Sequence, residues 1–196
     1  MKVRNHAAII TGGGSGMGAE TARRLAAEGA KVALFDLNVD AVQAVADEIG
    51  GIAVQCDVSD AASTEAAFAA AREAHGPARI AISCAGVATP GRIVGREGPL
   101  DLAAFKRVVD INLVGTFNVM RLAAYDMSKL DPLETSERGV IINTASVAGF
   151  EGQIGQAAYG SSKGGVIALG LPAARELARF GIRVIDRKST RLNSSH

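Results

Sequence analysis

Short apolar segments alternate with longer amphipathic segments along the chain, and this alternation constrains the fold more than any other feature of the sequence. The short segments predict β-strands at residues 7–11, 31–36, 52–57, 80–85 and 140–145. The longer segments repeat apolar residues every three or four positions and predict helices at residues 17–28, 40–48, 61–74, 102–127 and 157–179. Strands separated by helices pair in parallel, so we expect a three-layer α/β/α fold with a doubly wound parallel sheet.

Composition and charge narrow the classes of partner. The 196 residues are 48% hydrophobic, which suits one domain around one sizeable core. The net charge of +1 gives no field that favours nucleic acid, and no apolar stretch is long enough to predict a membrane span. Cys56 and Cys84 end apolar segments as free thiols usually do, so we expect a cytoplasmic protein. The three histidines do not group at metal-ligand spacing, so no metal is expected.

A glycine-rich turn follows the first predicted strand and leads directly into the first predicted helix. Its sequence, residues 11–18, is TGGGSGMG. Glycines at such a junction let backbone N–H groups and the positive end of a helix dipole approach a pyrophosphate. The turn predicts a dinucleotide site in a Rossmann-type fold, although tight turns also use glycine for their own geometry. The candidate cofactor-binding residues here are Gly12, Ser15, Gly16, Met17 and Gly18.

An acidic residue ends the second predicted strand. The carboxylate of Asp36 can accept hydrogen bonds from the ribose hydroxyls of an adenosine and would repel a 2′-phosphate. The next residues, Leu37 and Asn38, bring no cation that could neutralise such a phosphate. We therefore expect NAD rather than NADP as the cofactor, with Asp36 and Leu37 in its site. The alternative is that Asp36 only caps the turn at the strand end.

Two further sets of residues lie at the carboxyl ends of predicted strands, the edge where ligands bind in open α/β sheets. Asp57 and Val58 end the third strand, and Cys84, Ala85 and Gly86 end the fourth. We expect both sets to contact the cofactor. For Cys84, a small buried hydrophobic residue is the alternative interpretation.

Three polar residues lie beyond the fifth predicted strand. Ser146 follows that strand, and Tyr159 and Lys163 lie four positions apart on the next predicted helix, where the two side chains share a face. A neighbouring ammonium group favours the phenolate form of a phenol, so the tyrosine is a candidate proton carrier. Taken singly, such a pair is often only helix surface, and such a serine is often only a turn residue. Their conjunction predicts acid–base catalysis.

From residue 6 to about residue 185, the order of these motifs resembles that of the short-chain dehydrogenase/reductase family. The motifs are the glycine-rich turn, Asp57, Cys84-Ala85-Gly86, Asn112, Ser146 and the pair Tyr159 and Lys163. The family usually has asparagine where Cys84 stands, and this departure concerns a strand-stabilising contact rather than the chemistry. The resemblance implies an oxidoreductase that transfers hydride between NAD(H) and a secondary alcohol or ketone.

The resemblance also implies a role for each catalytic residue. Tyr159 would exchange a proton with the substrate oxygen, and Ser146 would hydrogen-bond to that oxygen. Lys163 would hold the nicotinamide ribose and favour the phenolate of Tyr159, so both residues would contact the cofactor. Asn112 would hold a water of the proton relay.

Residues 138–153 and 155–159 are similar to the type 2 3-hydroxyacyl-CoA dehydrogenases, a group that includes multifunctional 17β-hydroxysteroid enzymes. This similarity implies a 3-hydroxyacyl-CoA substrate, a place in fatty acid metabolism, and contact of Gln153 with the substrate. The alternatives are an exposed loop role for Gln153, a steroid or other secondary alcohol as substrate, and a non-catalytic NAD-binding module. Relatives often form tetramers through their long helices, so a homo-oligomer is expected.

The last residues do not continue the pattern. A sixth strand is expected to begin near Gly181, but residues 186–196 have no amphipathic period and resemble a translated sequencing-adapter oligonucleotide. We therefore expect one dinucleotide-binding and catalytic domain over residues 1–185, incomplete at its C-terminal end, and a non-native tail over residues 186–196. An incomplete sheet exposes a strand edge and apolar surface, so we expect this chain to be weakly stable and poorly active.

Overall fold

Six parallel strands form one sheet in the computed structural model, which describes residues 1–189. The strands are β1 (Ala7–Thr11), β2 (Lys31–Asp36), β3 (Ile52–Gln55), β4 (Ile80–Ser83), β5 (Gly139–Ser146) and β6 (Ile182–Ser189). The helices are α1 (Gly16–Ala27), α2 (Val39–Ile49), α3 (Ala61–His75), α4 (Leu102–Val109), α5 (Gly115–Ser128) and α6 (Ala157–Leu177). The predicted elements are therefore all present, and their ends differ from the prediction by a few residues.

The strand order is β3-β2-β1-β4-β5-β6, so the chain starts in the middle of the sheet and winds outward in both directions. This order confirms the doubly wound, Rossmann-type fold. The reversal of direction falls between β1 and β4, where Thr11 lies opposite Ser83. A crevice forms at such a reversal, outside the carboxyl ends of the strands, and it is where ligands bind.

The sheet is buried on both faces, as strand β1 illustrates. Ala7 and Ile9 belong to one core, which α3, α5 and α6 complete, whereas Ala8 and Ile10 belong to a second core with α1 and α2. Successive side chains of a strand point to opposite faces, so an apolar strand with no polar alternation needs a helix layer on each side. The two cores fix the carboxyl ends of the strands at one edge.

The helix predicted over residues 102–127 contains an irregular turn. The chain stays helical from Leu102 to Ser128, but residues Asp110–Val114 form a π-helical turn that includes Asn112. A single π turn inserts one residue into an otherwise α-helical pattern, and apolar periodicity did not reveal it. No helix within the described part of the chain is both long and apolar enough to cross a membrane.

The sixth strand runs further than predicted. Residues Asp186–Ser189 pair with Asn143–Ser146 of β5, although the sequence analysis placed them in a non-native tail. Main-chain hydrogen bonds form a parallel ladder whatever the side-chain period, so the absence of an amphipathic pattern did not exclude pairing. Residues 190–196 lie outside the described residues, and the boundary at residue 185 and the origin of the tail stay predictions.

Candidate functional site

The glycine-rich turn between β1 and α1 packs too closely for side chains. Gly12 and Gly16 have φ angles of +66° and +51°, in the left-handed region that favours glycine. A Cβ atom on Gly12 would lie 2.8 Å from the main-chain nitrogen of Ala85, and one on Gly18 would collide with the carbonyl oxygen of Gly12. The glycines therefore let the turn lie against both β4 and α1.

The N-terminus of α1 is suited to bind an anion. Ser15 precedes the helix in an extended conformation, and within the described residues its side chain makes no capping hydrogen bond. The first turn of α1 carries no acidic side chain. Its N–H groups and the positive end of the helix dipole therefore remain for an external acceptor such as a pyrophosphate.

Asp36 ends β2 beside this turn. One carboxylate oxygen accepts a hydrogen bond from the main-chain N–H of Gly14 at 2.9 Å, and the other accepts one from Asn38 at 3.0 Å. The bond from Asn38 caps the turn at the strand end, which is the alternative interpretation of Asp36. The bond from Gly14 places the carboxylate against the glycine-rich turn, so the geometry suits a contact with an adenosine ribose as well.

A shallow pocket lies next to the carboxyl ends of β2 and β3. It has a volume of about 420 Å³ and includes Leu37 and Asp57 together with Lys106 and Arg107 of α4. The carboxylate of Asp57 accepts a hydrogen bond from the N–H of Ser59 at 2.9 Å, and β3 ends two residues before it. Val58 is buried below, where a Cβ atom on Gly115 would lie 2.6 Å from its side chain.

A larger cleft of about 760 Å³ opens at the carboxyl ends of β4 and β5. The structure brings together there three of the four predicted catalytic residues, Ser146, Tyr159 and Lys163, whereas Asn112 does not line this cleft. Other predicted residues that line the same cleft are Gly16, Met17, Cys84, Gly86 and Gln153. The candidate acid–base pair therefore faces the same space as the glycine-rich turn.

The side chain of Lys163 places its ammonium group in an almost fully buried position. The residue is 5% exposed, its Nζ donates a hydrogen bond to the main-chain carbonyl of Thr144 at 2.6 Å, and it lies 5.9 Å from the ring centre of Tyr159. Burial lowers the pKa of Lys163 from 10.5 to about 8, because desolvation disfavours the charged form. The nearby Cys84 acts weakly in the opposite direction.

A second tyrosine–lysine pair shows what the cleft adds. Tyr125 and Lys129 have the same spacing on α5 and the loop that follows it, and the Nζ of Lys129 lies 3.8 Å from the ring centre. However, Tyr125 is 59% exposed and Lys129 is also exposed. Water screens the interaction within such a pair. The sequence spacing is the same in both pairs and therefore does not distinguish this surface pair from the pair in the cleft. Burial separates the candidate catalytic pair from the surface pair.

Ser146 ends β5 and starts a short 3₁₀ turn over Val147–Gly149. Its hydroxyl oxygen accepts a hydrogen bond from the N–H of Ala148 at 3.2 Å. This bond uses the oxygen as acceptor, so the hydroxyl hydrogen can still be donated to a ligand in the cleft. The contact fixes the direction of the side chain.

Asn112 lies behind the cleft wall rather than in it. Its side-chain oxygen accepts from the N–H of Val87 at 2.8 Å, and its amide nitrogen donates to the carbonyl of Val87 at 2.9 Å and to the hydroxyl of Ser162 at 3.0 Å. The side chain therefore has protein partners on both of its polar atoms. The role of Asn112 in holding a water stays a prediction.

Cys84 and Gln153 both line the cleft. The thiol of Cys84 is half-buried and accepts a hydrogen bond from the hydroxyl of Thr144 at 3.7 Å, while burial raises its pKa. Its neighbour Ala85 donates its N–H to the hydroxyl of Thr11 at 3.2 Å, which holds the loop after β4 to β1. Gln153 is exposed at the mouth of the cleft, as its alternative interpretation required.

Sequence reasoning missed several residues of the site. Thr144 could have been found, because it lies two positions before Ser146 on one strand and therefore on the same face. Ser162 and Val87 gave no signal, since their roles depend on contacts with distant segments. Arg187 lines the cleft from the part of β6 that was assigned to the tail. Among residues 1–189, no three His, Cys, Asp or Glu side chains group as metal ligands would.

Comparison with known proteins finds related chains along most of the sequence. The short chain dehydrogenase family matches residues 6–189. A Homo sapiens protein named 3-hydroxyacyl-CoA dehydrogenase type-2 is 46% identical over 187 residues, which are 93% of this chain and 72% of the relative. A crystal structure of 3-hydroxyacyl-CoA dehydrogenase type-2 from Mycobacterium avium matches with a TM-score of 0.87 and 41% identity, over 95% of this chain and 75% of that chain.

A further crystal structure carries the name of a different enzyme. It is called ribose-5-phosphate isomerase from Brucella melitensis 16M and matches with a TM-score of 0.83 and 32% identity, over 94% of this chain and 68% of that chain. Likeness of fold alone therefore does not choose the chemistry. The side chains of the cleft must carry that argument.

The lowered pKa of Lys163 predicts a pH-dependent stability. Between about pH 8 and 10.5 the unfolded chain binds more protons at this residue than the folded chain does, so the free energy of unfolding should rise with pH across that window. Below it, the buried charge should destabilise the fold by up to roughly 3 kcal/mol. We expect Lys163→Met to be more stable than the parent at pH 7 in urea unfolding, with the difference shrinking towards pH 10.

Lys129→Met is the matched control, because it removes an exposed ammonium at the same distance in sequence from a tyrosine. It should change stability little at either pH. Parallel pH profiles for Lys163→Met and the parent protein would contradict the burial of a charged group at residue 163.

Proposed function

Because the chain belongs to the short chain dehydrogenase family and is an oxidoreductase acting on CH–OH groups, we propose that it transfers hydride between NAD(H) and a secondary alcohol or ketone. We further propose a 3-hydroxyacyl-CoA as the alcohol and a 3-oxoacyl-CoA as the ketone. The observation that carries the proposal is one cleft in which Ser146 and Tyr159 face the buried ammonium of Lys163.

In this proposal the chain handles the proton of the reaction. During oxidation, Tyr159 takes the proton from the substrate hydroxyl, and Ser146 donates a hydrogen bond to the same oxygen. The positive charge of Lys163 stabilises the phenolate that accepts the proton. NAD, when bound, supplies the nicotinamide that accepts the hydride. In reduction, Tyr159 returns the proton to the carbonyl oxygen.

The shapes already described support a proposed placement of the cofactor. The glycine-rich turn and the N-terminus of α1 would hold the pyrophosphate, and Asp36 would bind the adenosine ribose. The pocket with Leu37 and Asp57 suits the adenine, with Val58 contributing main-chain atoms. Cys84, Ala85 and Gly86 would border the nicotinamide ribose, which Lys163 would also hold.

The substrate class rests on relatives and on the shape of the cleft mouth. The human and mycobacterial relatives are named for 3-hydroxyacyl-CoA substrates. At the mouth, the exposed Gln153 and the half-buried Gln156 offer amide groups near Tyr159. An amide N–H at this position could bind a thioester carbonyl. A steroid or another secondary alcohol is the alternative substrate.

A non-catalytic NAD-binding module is disfavoured by the position of Lys163. A buried ammonium destabilises the fold, and a module that only binds would gain little from keeping it. An acid–base site needs a desolvated charge next to the group that carries the proton. The proposal of an enzyme explains both the position of the charge and the tyrosine beside it.

We also propose that the protein is a homo-oligomer, specifically a tetramer, located in the cytoplasm. Val114 at the end of the π turn, Phe117 of α5 and Leu171 of α6 are large apolar residues with exposed side chains. Exposed apolar side chains on long helices suit packing between copies of a chain. Cys56 and Cys84 are both free thiols, which agrees with a reducing compartment.

Replacing the proton carrier tests the proposed mechanism. Tyr159→Phe should lower kcat by roughly 10²–10⁴-fold, because proton transfer to or from the substrate oxygen loses its partner. NADH affinity, measured by fluorescence titration, should remain. Tyr125→Phe removes the hydroxyl of the exposed tyrosine and should behave as the parent protein. Full turnover in Tyr159→Phe would rule out the role of residue 159.

Cofactor titration tests the role of Asp36. NADH should bind about tenfold more tightly than NADPH or better, since 1.4 kcal/mol of repulsion between the carboxylate and a 2′-phosphate is enough for that factor. Asp36→Asn should reduce the ratio of NADH affinity to NADPH affinity. Asp40→Asn, which removes an exposed carboxylate from α2, should leave that ratio unchanged. Tighter binding of NADPH to the parent protein would overturn the choice of NAD.

The proposed substrate class predicts a preference between two ketones. With NADH present, kcat/KM should be higher for acetoacetyl-CoA than for a simple ketone that lacks the thioester. Gln153→Ala should reduce this preference by about tenfold or less, the loss of one hydrogen bond. Equal kcat/KM values for the two ketones would contradict the proposed acyl-CoA substrate but not the proposed dehydrogenase activity.

A further inference from the structure

Ser162 lies between Tyr159 and Lys163 in the sequence but has no place in the cleft. Its side chain is 0% exposed. The hydroxyl donates a hydrogen bond to the main-chain carbonyl of Tyr159 at 2.8 Å and accepts one from the amide nitrogen of Asn112 at 3.0 Å. A hydroxyl is needed here because it is both donor and acceptor.

Asn112, which donates the hydrogen bond to Ser162, is itself held by further hydrogen bonds. The side-chain amide of Asn112 makes two hydrogen bonds with the main chain of Val87. The main-chain carbonyl of Asn112 accepts a hydrogen bond from the hydroxyl of Thr116 at 2.7 Å. Asn112 is 0% exposed and lies in the π turn. It therefore joins the loop after β4 to the second turn of α6.

The network lies next to the ammonium group of Lys163. A Cβ atom on Gly86 would lie 3.1 Å from the side-chain oxygen of Asn112 and 3.7 Å from the Nζ of Lys163. Gly86 and Val87 both line the cleft. A shift of Asn112 would thus move the backbone beside the ammonium as well as the turn that carries Tyr159.

We propose that Ser162 is a positioning residue, whose hydroxyl ties the turn of α6 that carries Tyr159 and Lys163 to Asn112 and the cleft wall at Gly86–Val87. Without the hydroxyl, one N–H of Asn112 loses its partner in a buried position, and the amide can rotate away from Val87. The catalytic pair and the cleft wall then lose their common arrangement. The kinetic consequence of this inference rests on the proposed function. The hydrogen-bonded link between Ser162 and Asn112 does not depend on that function.

Two measurements on Ser162→Ala test the proposal, and alanine is a safe replacement because it favours the helix. In NMR on protein with ¹⁵N-labelled asparagine, the side-chain amide protons of Asn112 should exchange with solvent faster than in the parent protein. In turnover assays, kcat should fall by about tenfold with KM nearly unchanged, because positioning acts on the reacting state rather than on binding.

Ser161→Ala is the matched control, since Ser161 is the exposed neighbour on the same helix. It should leave exchange and kcat unchanged, and Ser162→Thr, which restores a hydroxyl, should recover part of the lost kcat. Unchanged exchange in Ser162→Ala, or faster exchange with unaltered kcat, would overturn the proposal. A parent protein with neither NADH binding nor turnover would contradict the proposed function, and the exchange measurement alone would then decide whether the tie exists.

Discussion

The ammonium group of Lys163 is buried and therefore needs a carbonyl oxygen beside it, and much of the site is arranged around this requirement. Thr144 supplies the oxygen from β5, two residues before Ser146. The same strand therefore delivers both the partner of the charge and the serine of the cleft. Helix α6 follows β5 in the chain, so it can place Tyr159 and Lys163 next to the carboxyl end of β5.

Close packing of main chain makes this edge of the sheet accessible to a large cofactor. Gly12 touches the main chain at Ala85, and Gly18 touches Gly12. The turn after β1 and the loop after β4 consequently lie side by side at the point where the sheet reverses direction. The glycine-rich turn beside Asp36 and the cleft with Ser146 therefore lie at the same edge of the sheet, the edge where ligands bind in open α/β folds.

Buried polar contacts keep this edge of the sheet in one arrangement. Asn112, Ser162 and Thr116 are buried, and each makes hydrogen bonds with protein partners from another turn or segment. Fully paired polar groups in a dry interior favour a single geometry, since any rotation leaves a donor or acceptor without a partner. The π turn at Asp110–Val114 is part of this network, because Asn112 lies in it and its carbonyl accepts the bond from Thr116.

The sequence by itself determined the layered fold, the strand positions, the glycine-rich turn and the candidate residues Ser146, Tyr159 and Lys163. Those features depend on local spacing: apolar periodicity for helices and strands, and glycine where side chains cannot fit. It did not reveal the π turn, the extension of β6 to Ser189, or the roles of Thr144 and Ser162. Each of these depends on main-chain or side-chain contacts between segments far apart in the chain. Spacing also could not separate Tyr159–Lys163 from Tyr125–Lys129, because only tertiary packing removes water from one lysine and leaves the other exposed.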